Sequence, residues 1–163
     1  MTLRAVTLLT CLLTVGTIGL RAVEQNPLPA FTVVSSGDVA VPSSQLSKEA
    51  RWLLIYVSPS CGSCERLLSA LVDWQRTLPP SRLVVVIQAA PDVARTYAQQ
   101  HGLDQAAGMA WYADTDQSGS RALGLQHIPA LVAVDHGRTT WVLTGVLNDP
   151  RAVETVVRSW TGY

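Results

Sequence analysis

The feature that most constrains the fold of this chain is a pair of cysteines, Cys61 and Cys64, placed where a strand pattern changes into a helix pattern. Residues 52–57, WLLIYV, are an uninterrupted run of large and branched apolar residues, which is typical of a strand buried on both faces. Pro59 interrupts this run, and residues 62–78 then have the spacing of an amphipathic helix. The sequence therefore predicts that both cysteines lie at the start of a helix that follows a central strand.

This placement gives the two cysteines different chemical roles. Cys61 lies over unpaired backbone N–H groups at the positive end of the helix dipole, which favours its thiolate form. Cys64 lies one turn deeper and can attack Cys61 from behind. The motif predicts disulfide exchange, in which Cys61 attacks a disulfide of a partner and Cys64 then displaces the partner's thiol. Gly62 and Ser63, between the cysteines, are expected to influence the reduction potential through hydrogen bonding to the thiolate.

Other uses of the pair stay open from the residues alone. The cysteines can form a purely structural disulfide, or they can belong to a metal site. Zinc needs four ligands, and the other candidates are His101, His127, His136 and carboxylates, with no second pair at ligand spacing. The alternative hypothesis is a non-enzymatic binding module or copper chaperone that uses Cys61, Cys64 and His127. We predict no resident metal and no cofactor.

The N-terminal segment, residues 1–23, indicates export from the cytoplasm. Residues 5–20 contain no charge and no proline, and they lie between Arg4 and Arg21. As a helix this run measures about 24 Å, which is somewhat short of a bilayer core, but a short extension with Arg21 at the interface allows it to span. We expect an uncleaved membrane anchor, with a cleaved signal peptide as the alternative. Cys11 is expected to be a small apolar residue in lipid.

The remainder divides into a short linker and one domain. Residues 24–30, EQNPLPA, have two prolines and no periodicity, which is typical of a linker. Residues 31–163 suffice for one domain of ordinary size. The 163-residue chain carries 12 basic and 12 acidic residues with no run of Lys or Arg, so we expect no nucleic-acid partner. Its three cysteines are too few for a disulfide-stapled scaffold.

Strand and helix patterns alternate through this domain. Strands are predicted at Phe31–Val34, Val39–Val41, Trp52–Val57, Leu83–Ile87, Met109–Tyr112, Ala130–Val134 and Thr139–Val146. Helices are predicted at Gly62–Leu78, Pro91–His101 and Ser118–Leu123, with a helical turn at Ser43–Glu49. A last helix is predicted after Asn148-Asp149-Pro150. The last helix is expected to present Val153, Val156, Val157 and Trp160 on one face. This order predicts an α/β fold with a mixed sheet covered by helices on both faces.

Two segments together resemble a known family. The strand followed by SPSCGSC and a helix, and the later Gln126–Ala130 segment QHIPA entering a strand and hairpin, resemble the thioredoxin superfamily over about residues 28–161. Within it the chain is similar to the membrane-anchored, extracytoplasmic oxidoreductases of the TlpA and ResA type. This resemblance implies a thioredoxin-like fold with an N-terminal hairpin and an extra strand–helix insertion. It also implies that Pro129 is a cis-proline facing the cysteines and that the backbone of Ile128 pairs with an extended substrate.

The same resemblance implies a role and a location. It suggests a reductant of protein disulfide or dithiol substrates that receives electrons from a membrane partner. The expected location is the periplasmic side of the inner membrane, anchored by the N-terminal segment, or secretion after cleavage. Two positions depart from the family pattern: Ser60 occupies the usual place of a tryptophan, and Ile55 that of a buried acid. Since Glu65 is expected to be a solvated first-turn acid, the sequence identifies no proton acceptor for Cys64.

Overall fold

A computed structural model describes residues 26–74, 79–106, 108–145 and 149–162. The predicted N-terminal anchor or signal, residues 1–23, lies outside these residues, as does the predicted end of the cysteine-bearing helix at Leu78. None of the helices in the described ranges is long and apolar enough to cross a membrane.

The described residues contain eight strands and four α-helices in an alternating order. They are β1 (Asn26–Pro27), β2 (Thr32–Ser35), β3 (Ala40–Pro42), β4 (Arg51–Val57), α1 (Gly62–Trp74), β5 (Leu83–Ile87), α2 (Pro91–Gln100), β6 (Ala110–Ala113), α3 (Ser118–Ala122), β7 (Ala130–Asp135), β8 (Arg138–Thr144) and α4 (Pro150–Thr161). Short 3-10 turns lie at Ser43–Gln45, Pro80–Arg82 and Leu103–Gln105. The predicted helical turn after the hairpin is thus confirmed in a shorter form.

All eight strands form one mixed sheet in the order β1-β8-β7-β4-β5-β6-β2-β3. The central strand β4 is parallel to β5 and antiparallel to β7, and β5 is parallel to β6. Strands β2 and β3 form the predicted N-terminal hairpin. Two strand–helix units, β5–α2 and β6–α3, separate α1 from Pro129, as the extra insertion implied by the resemblance requires.

The two faces of the sheet are covered unequally. Along β4, Leu53, Ile55 and Val57 point to one face, where side chains of α1, α2 and α4 pack on them. Alternate residues of β4 point to the other face and pack with Phe31, Val33 and Leu46. The short helix α3 also lies on this second face, where Gly119 approaches the ring of Phe31. Helices therefore cover both faces, as predicted, but the second face depends mainly on the N-terminal segment of the domain.

Helix α4 and the predicted linker differ in detail from the sequence pattern. In α4, Val153 and Val157 are buried, whereas Val156 is 38% exposed, so the apolar face of this helix is only partly covered. In the predicted linker, Asn26 and Pro27 pair with β8, and the Leu28 N–H donates to the Gly137 carbonyl at 2.9 Å.

Candidate functional site

The cysteine pair lies at the carboxyl end of the central strand, in the turn that leads into α1. The Cys61 N–H donates to the Ser58 carbonyl at 3.1 Å, and the Cys64 N–H donates to the Cys61 carbonyl at 2.9 Å. Ser60, at the position where the family that the sequence resembles usually has a tryptophan, has its hydroxyl 2.9 Å from that of Ser58. These bonds fix the turn, because buried Ser58 holds both the backbone of Cys61 and the side chain of Ser60.

Cys61 and Cys64 are joined by a disulfide, with their Cα atoms 5.3 Å apart. Cys64 is fully buried, whereas Cys61 is partly exposed. A partner can therefore reach Cys61 but not Cys64. This asymmetry matches the division of roles that the motif predicts, with an outer attacking sulfur and an inner resolving sulfur.

The segment containing Pro129 faces the disulfide. The Ile128–Pro129 peptide bond is cis, as the resemblance implies. The Ile128 carbonyl oxygen lies 3.5 Å from Cys61 Sγ, and the Gly145 N–H, just beyond β8, donates to the Pro129 carbonyl at 3.1 Å. The fold thus brings Cys61 close to Ile128 and Pro129, although two strand–helix units, β5–α2 and β6–α3, separate them along the chain.

The residues between the cysteines are placed differently from each other. Ser63 Oγ lies 3.4 Å from Cys61 Sγ, so its hydroxyl can donate to that sulfur. Gly62 is exposed, and a Cβ at this position would meet nothing within 4 Å. His127 is exposed beside Ile128. In the described ranges, no group of three or more His, Cys, Asp or Glu residues is arranged to hold a metal ion.

The surroundings of Cys64 are apolar. Its side chain packs in the same buried cluster as Ile55, Leu67 and Leu68. Ile55, at the position where many members of the family that the sequence resembles have an acid, contributes only a hydrocarbon side chain. Glu65 is exposed, in agreement with its expected place in the first turn of α1.

Sequence reasoning missed a buried polar pair on the opposite face of β4. The Tyr56 hydroxyl donates to the carboxylate of Asp114, which is fully buried. Asp114 also accepts from the Gly119 N–H at 2.9 Å and from the Ser118 hydroxyl at 3.3 Å. Burial, followed by the hydrogen bond and the charge of Asp114, raises the pKa of Tyr56 well above its ordinary value. Tyr56 pairs across the sheet with Ala130, which directly follows the cis-proline in the sequence.

Comparison with known proteins identifies the fold of the chain but assigns it to no family. No protein-family model matches the chain, and no curated protein is detectably similar to it. Among solved structures, a thioredoxin-like protein in the oxidized form has a TM-score of 0.67 at 19% identity, covering 85% of this chain and 96% of its own. MTB dsbF, solved in mixed oxidized and reduced forms, has a TM-score of 0.66 at 19% identity, with coverages of 80% and 95%.

A third similar structure is a putative thiol:disulfide interchange protein DsbE from Chlorobium tepidum. Its TM-score is 0.65 at 18% identity, and the match covers 85% of this chain and 97% of the other. At such identities the likeness is one of fold. The chain therefore has a thioredoxin-like fold, as the CGSC and QHIPA segments predicted.

Proposed function

We propose that this protein is a thiol–disulfide oxidoreductase that exchanges disulfides with protein substrates through Cys61 and Cys64. One observation carries the proposal: the partly exposed Cys61 is bonded to the buried Cys64 at the start of a helix, 3.5 Å from the Ile128 carbonyl. A structural disulfide has no need of an accessible outer sulfur at the positive end of a helix dipole. The similar solved structures include a protein described as a thiol:disulfide interchange protein.

The exchange begins with the reduced protein. Cys61 thiolate attacks one sulfur of the substrate disulfide, which forms a mixed disulfide and releases the other substrate sulfur as a thiolate. Cys64, after losing its proton, attacks Cys61 Sγ and releases the second substrate sulfur. The substrate gains two electrons and two protons, and the protein ends as the Cys61–Cys64 disulfide. The hydroxyl of Ser63 supports the first step because it can donate a hydrogen bond to the Cys61 thiolate.

The substrate is held by backbone contacts beside the cis-proline. Ile128 is partly exposed, and its peptide groups lie next to Cys61. An extended substrate segment that pairs there presents its own cysteine to Cys61. Gly62, whose surroundings are open, leaves room for this segment to approach the disulfide.

We assign the in vivo role of a reductant that works outside the cytoplasm. Residues 1–23 anchor the domain in this proposal, or they are removed on secretion, and a membrane electron carrier reduces the Cys61–Cys64 disulfide after each turnover. Alkaline-phosphatase fusions after residue 30 test this location: an active fusion supports it, and an inactive, stably produced fusion contradicts it.

A trapping experiment tests the exchange itself. In Cys64→Ala the mixed disulfide cannot be resolved, so covalent adducts of substrates through Cys61 should accumulate in cells. Cys61→Ala is the matched control, because it retains only the buried Cys64 of the pair, and any adduct through Cys11 appears in both variants; it should trap none of the adducts specific to Cys64→Ala. Adducts are visible on non-reducing gels and disappear on reduction. A folded Cys64→Ala protein without adducts contradicts the proposal.

The reductant role has a separate test. Equilibration with glutathione redox buffers measures the reduction potential of the Cys61–Cys64 pair. We expect a potential below about −230 mV, close to that of thioredoxin, whereas a value near about −120 mV marks an oxidant. The copper hypothesis is tested by titrating the reduced protein with Cu(I): stoichiometric binding that is lost in His127→Ala favours that alternative.

A further inference from the structure

Next to the catalytic turn lies a groove that the exchange mechanism leaves unused. It has a volume of about 260 Å³ and runs between the turn residue Pro59 and one side of α2. Pro59 is two residues before Cys61. The α2 residues that line it are Asp92, Val93, Thr96, Tyr97 and Gln100.

One of the residues that line this groove has an unsatisfied polar group. Tyr97 is only 5% exposed, and its hydroxyl is buried without a hydrogen-bond partner among the described residues. An unpaired hydroxyl costs free energy in the free protein, which a ligand that supplies a partner recovers. The Tyr97 ring is held in place because it packs in the main core and contacts the His101 ring edge-on, with 4.5 Å between the ring centroids.

Two acidic residues contribute negative charge to the groove. Asp92, in the first turn of α2, lines it and is exposed, and Glu65 on α1 is close enough to act electrostatically on Tyr97. Burial first, and the charge of Glu65 second, raise the pKa of Tyr97. The nearest arginine on α2, Arg95, does not line the groove and is paired with Asp38 at 2.9 Å.

The wall of the groove is apolar. Val93 is 46% exposed, which makes it one of the most exposed large apolar side chains in the described part of the domain. Val93 and Pro59 together can cover a hydrocarbon chain of several carbons. A lysine or arginine side chain has this combination of an apolar stem and a cationic, hydrogen-donating end group.

We propose that this groove, defined by Pro59, Asp92, Val93, Thr96, Tyr97 and Gln100, binds a lysine or arginine side chain of the substrate polypeptide, close in sequence to the cysteine attacked by Cys61. The stem lies on Val93 and Pro59. The cationic group donates to the Tyr97 hydroxyl and is attracted by Asp92 and Glu65. The groove thereby selects substrates with a basic residue beside the reactive disulfide. This inference rests on the proposed exchange function.

The test uses peptides whose single cysteine carries a 2-thiopyridyl leaving group. The reduced, full-length protein is mixed with peptides that hold Lys, Ala or Glu at each position from three before to three after the cysteine. Release of thiopyridone in excess of that seen with Cys61→Ala, which retains Cys11 and Cys64, reports attack by Cys61 and gives a second-order rate constant for each peptide. At one or more positions we expect the Lys peptide to react about tenfold faster than the Glu peptide, with Ala between them. Raising the salt concentration should reduce this ratio.

Variants show which residues cause the preference for Lys peptides. For each variant, the rate with the Lys peptide is divided by the rate of the same variant with the Glu peptide. Asp92→Lys should lower the Lys-to-Glu ratio to about threefold or less, and Tyr97→Phe should lower it at least about twofold. Asp73→Lys is the matched control, because it makes the same charge change on the exposed part of α1 far along the helix from the cysteines, and it should leave the ratio unchanged.

Two negative outcomes have different meanings. If all peptides react but Lys and Glu peptides do so equally at every position, or if Asp73→Lys lowers the ratio as much as Asp92→Lys, the groove does not select basic side chains. If the correctly folded, reduced protein reacts with none of the peptides, including the Ala series, the exchange function itself is wrong.

Discussion

At the scale of single residues, the protein contains two buried tyrosine hydroxyls in opposite situations. The Tyr56 hydroxyl donates to the buried carboxylate of Asp114, whereas the Tyr97 hydroxyl has no partner in the described ranges. Removal of the first hydroxyl leaves a buried acceptor without its donor, and removal of the second eliminates an unsatisfied group. The same chemical change should therefore have opposite effects at the two sites.

We expect Tyr56→Phe to lower the free energy of unfolding by about 1–3 kcal/mol. Tyr97→Phe, its matched control, should leave this free energy unchanged or raise it. Urea unfolding of the oxidised protein, followed by circular dichroism, measures both. A loss of stability in Tyr97→Phe similar to that in Tyr56→Phe would show that its hydroxyl has a partner in the free protein.

Tyr56 also predicts how stability depends on pH. Its pKa is raised in the folded state, so the native protein holds this proton more tightly than the unfolded chain does. Its contribution is complete below the unfolded pKa of about 10 and is lost as the pH rises above it, with a slope approaching about 1.4 kcal/mol per pH unit. Unfolding measured between neutral pH and pH values above 10 should show this decline. In Tyr56→Phe the decline should be shallower, and equal slopes would contradict the contribution of Tyr56.

At the scale of elements, helix α3 is attached to the second face of the sheet through a close contact at Gly119. A Cβ there would lie 2.9 Å from Asp114 Oδ2 and 3.2 Å from the ring of Phe31. The Asp114 carboxylate is already fixed by Tyr56 and by the Gly119 N–H, so it cannot move away without losing a hydrogen bond. Gly119 therefore allows the buried acid and the helix to approach each other.

We expect Gly119→Ala to destabilise the fold by about 1–3 kcal/mol, because overpacking displaces either Phe31 or the carboxylate. Gly62→Ala is the matched control: its added methyl group meets open space at the start of α1, and stability should be nearly unchanged. Thermal unfolding of the two variants measures the difference. Equal midpoints of thermal unfolding for Gly119→Ala and the unmodified protein would show that α3 can shift without loss of stability.

Sequence patterns predicted elements best where one physical effect determines the structure. Strand β5 has the predicted limits, Leu83–Ile87, because this continuous apolar run is buried along its whole length in the sheet. Strand β4 begins one residue earlier than predicted, at Arg51, which pairs across the sheet with Asp135. Periodicity does not reveal such a pair, because its two members are far apart in the sequence.

The site was predictable for a different reason. The cysteine pair is local, and the roles of its two sulfurs follow from their places in one helical turn. The approach of Ile128 to Cys61 was predictable only through resemblance to a family, since no local rule brings these segments together. The Tyr56–Asp114 pair escaped prediction because Tyr56 lies within an apolar run and Asp114 follows a short strand. Their partnership exists only once β4 and β6 share a sheet.

At the scale of the whole molecule, burial is concentrated in the centre of the sheet. Every residue of β5 is buried, as are six of the seven in β4. The outer strand β3 contains no buried residue, and among the described residues it pairs only with β2. Because local opening requires the loss of few apolar contacts at such an edge, the hairpin should open far more often than the centre. The turn that carries Cys61 follows directly on β4, at the centre of the sheet.

Native-state hydrogen exchange tests this gradient. We expect the amides of Leu83–Ile87 to exchange only through global unfolding, and the paired amides of β2 and β3 to exchange at least about a hundredfold faster, through local opening. The same order should hold in the oxidised and reduced proteins, because Cys61 and Cys64 lie at the end of β4, away from the hairpin. Equal protection of the hairpin and β5 from hydrogen exchange would mean that the N-terminal segment unfolds together with the core. Both faces of the sheet would then unfold in one cooperative step. The positions of Cys61 and Ile128 would then depend on the whole domain rather than on the central strands alone.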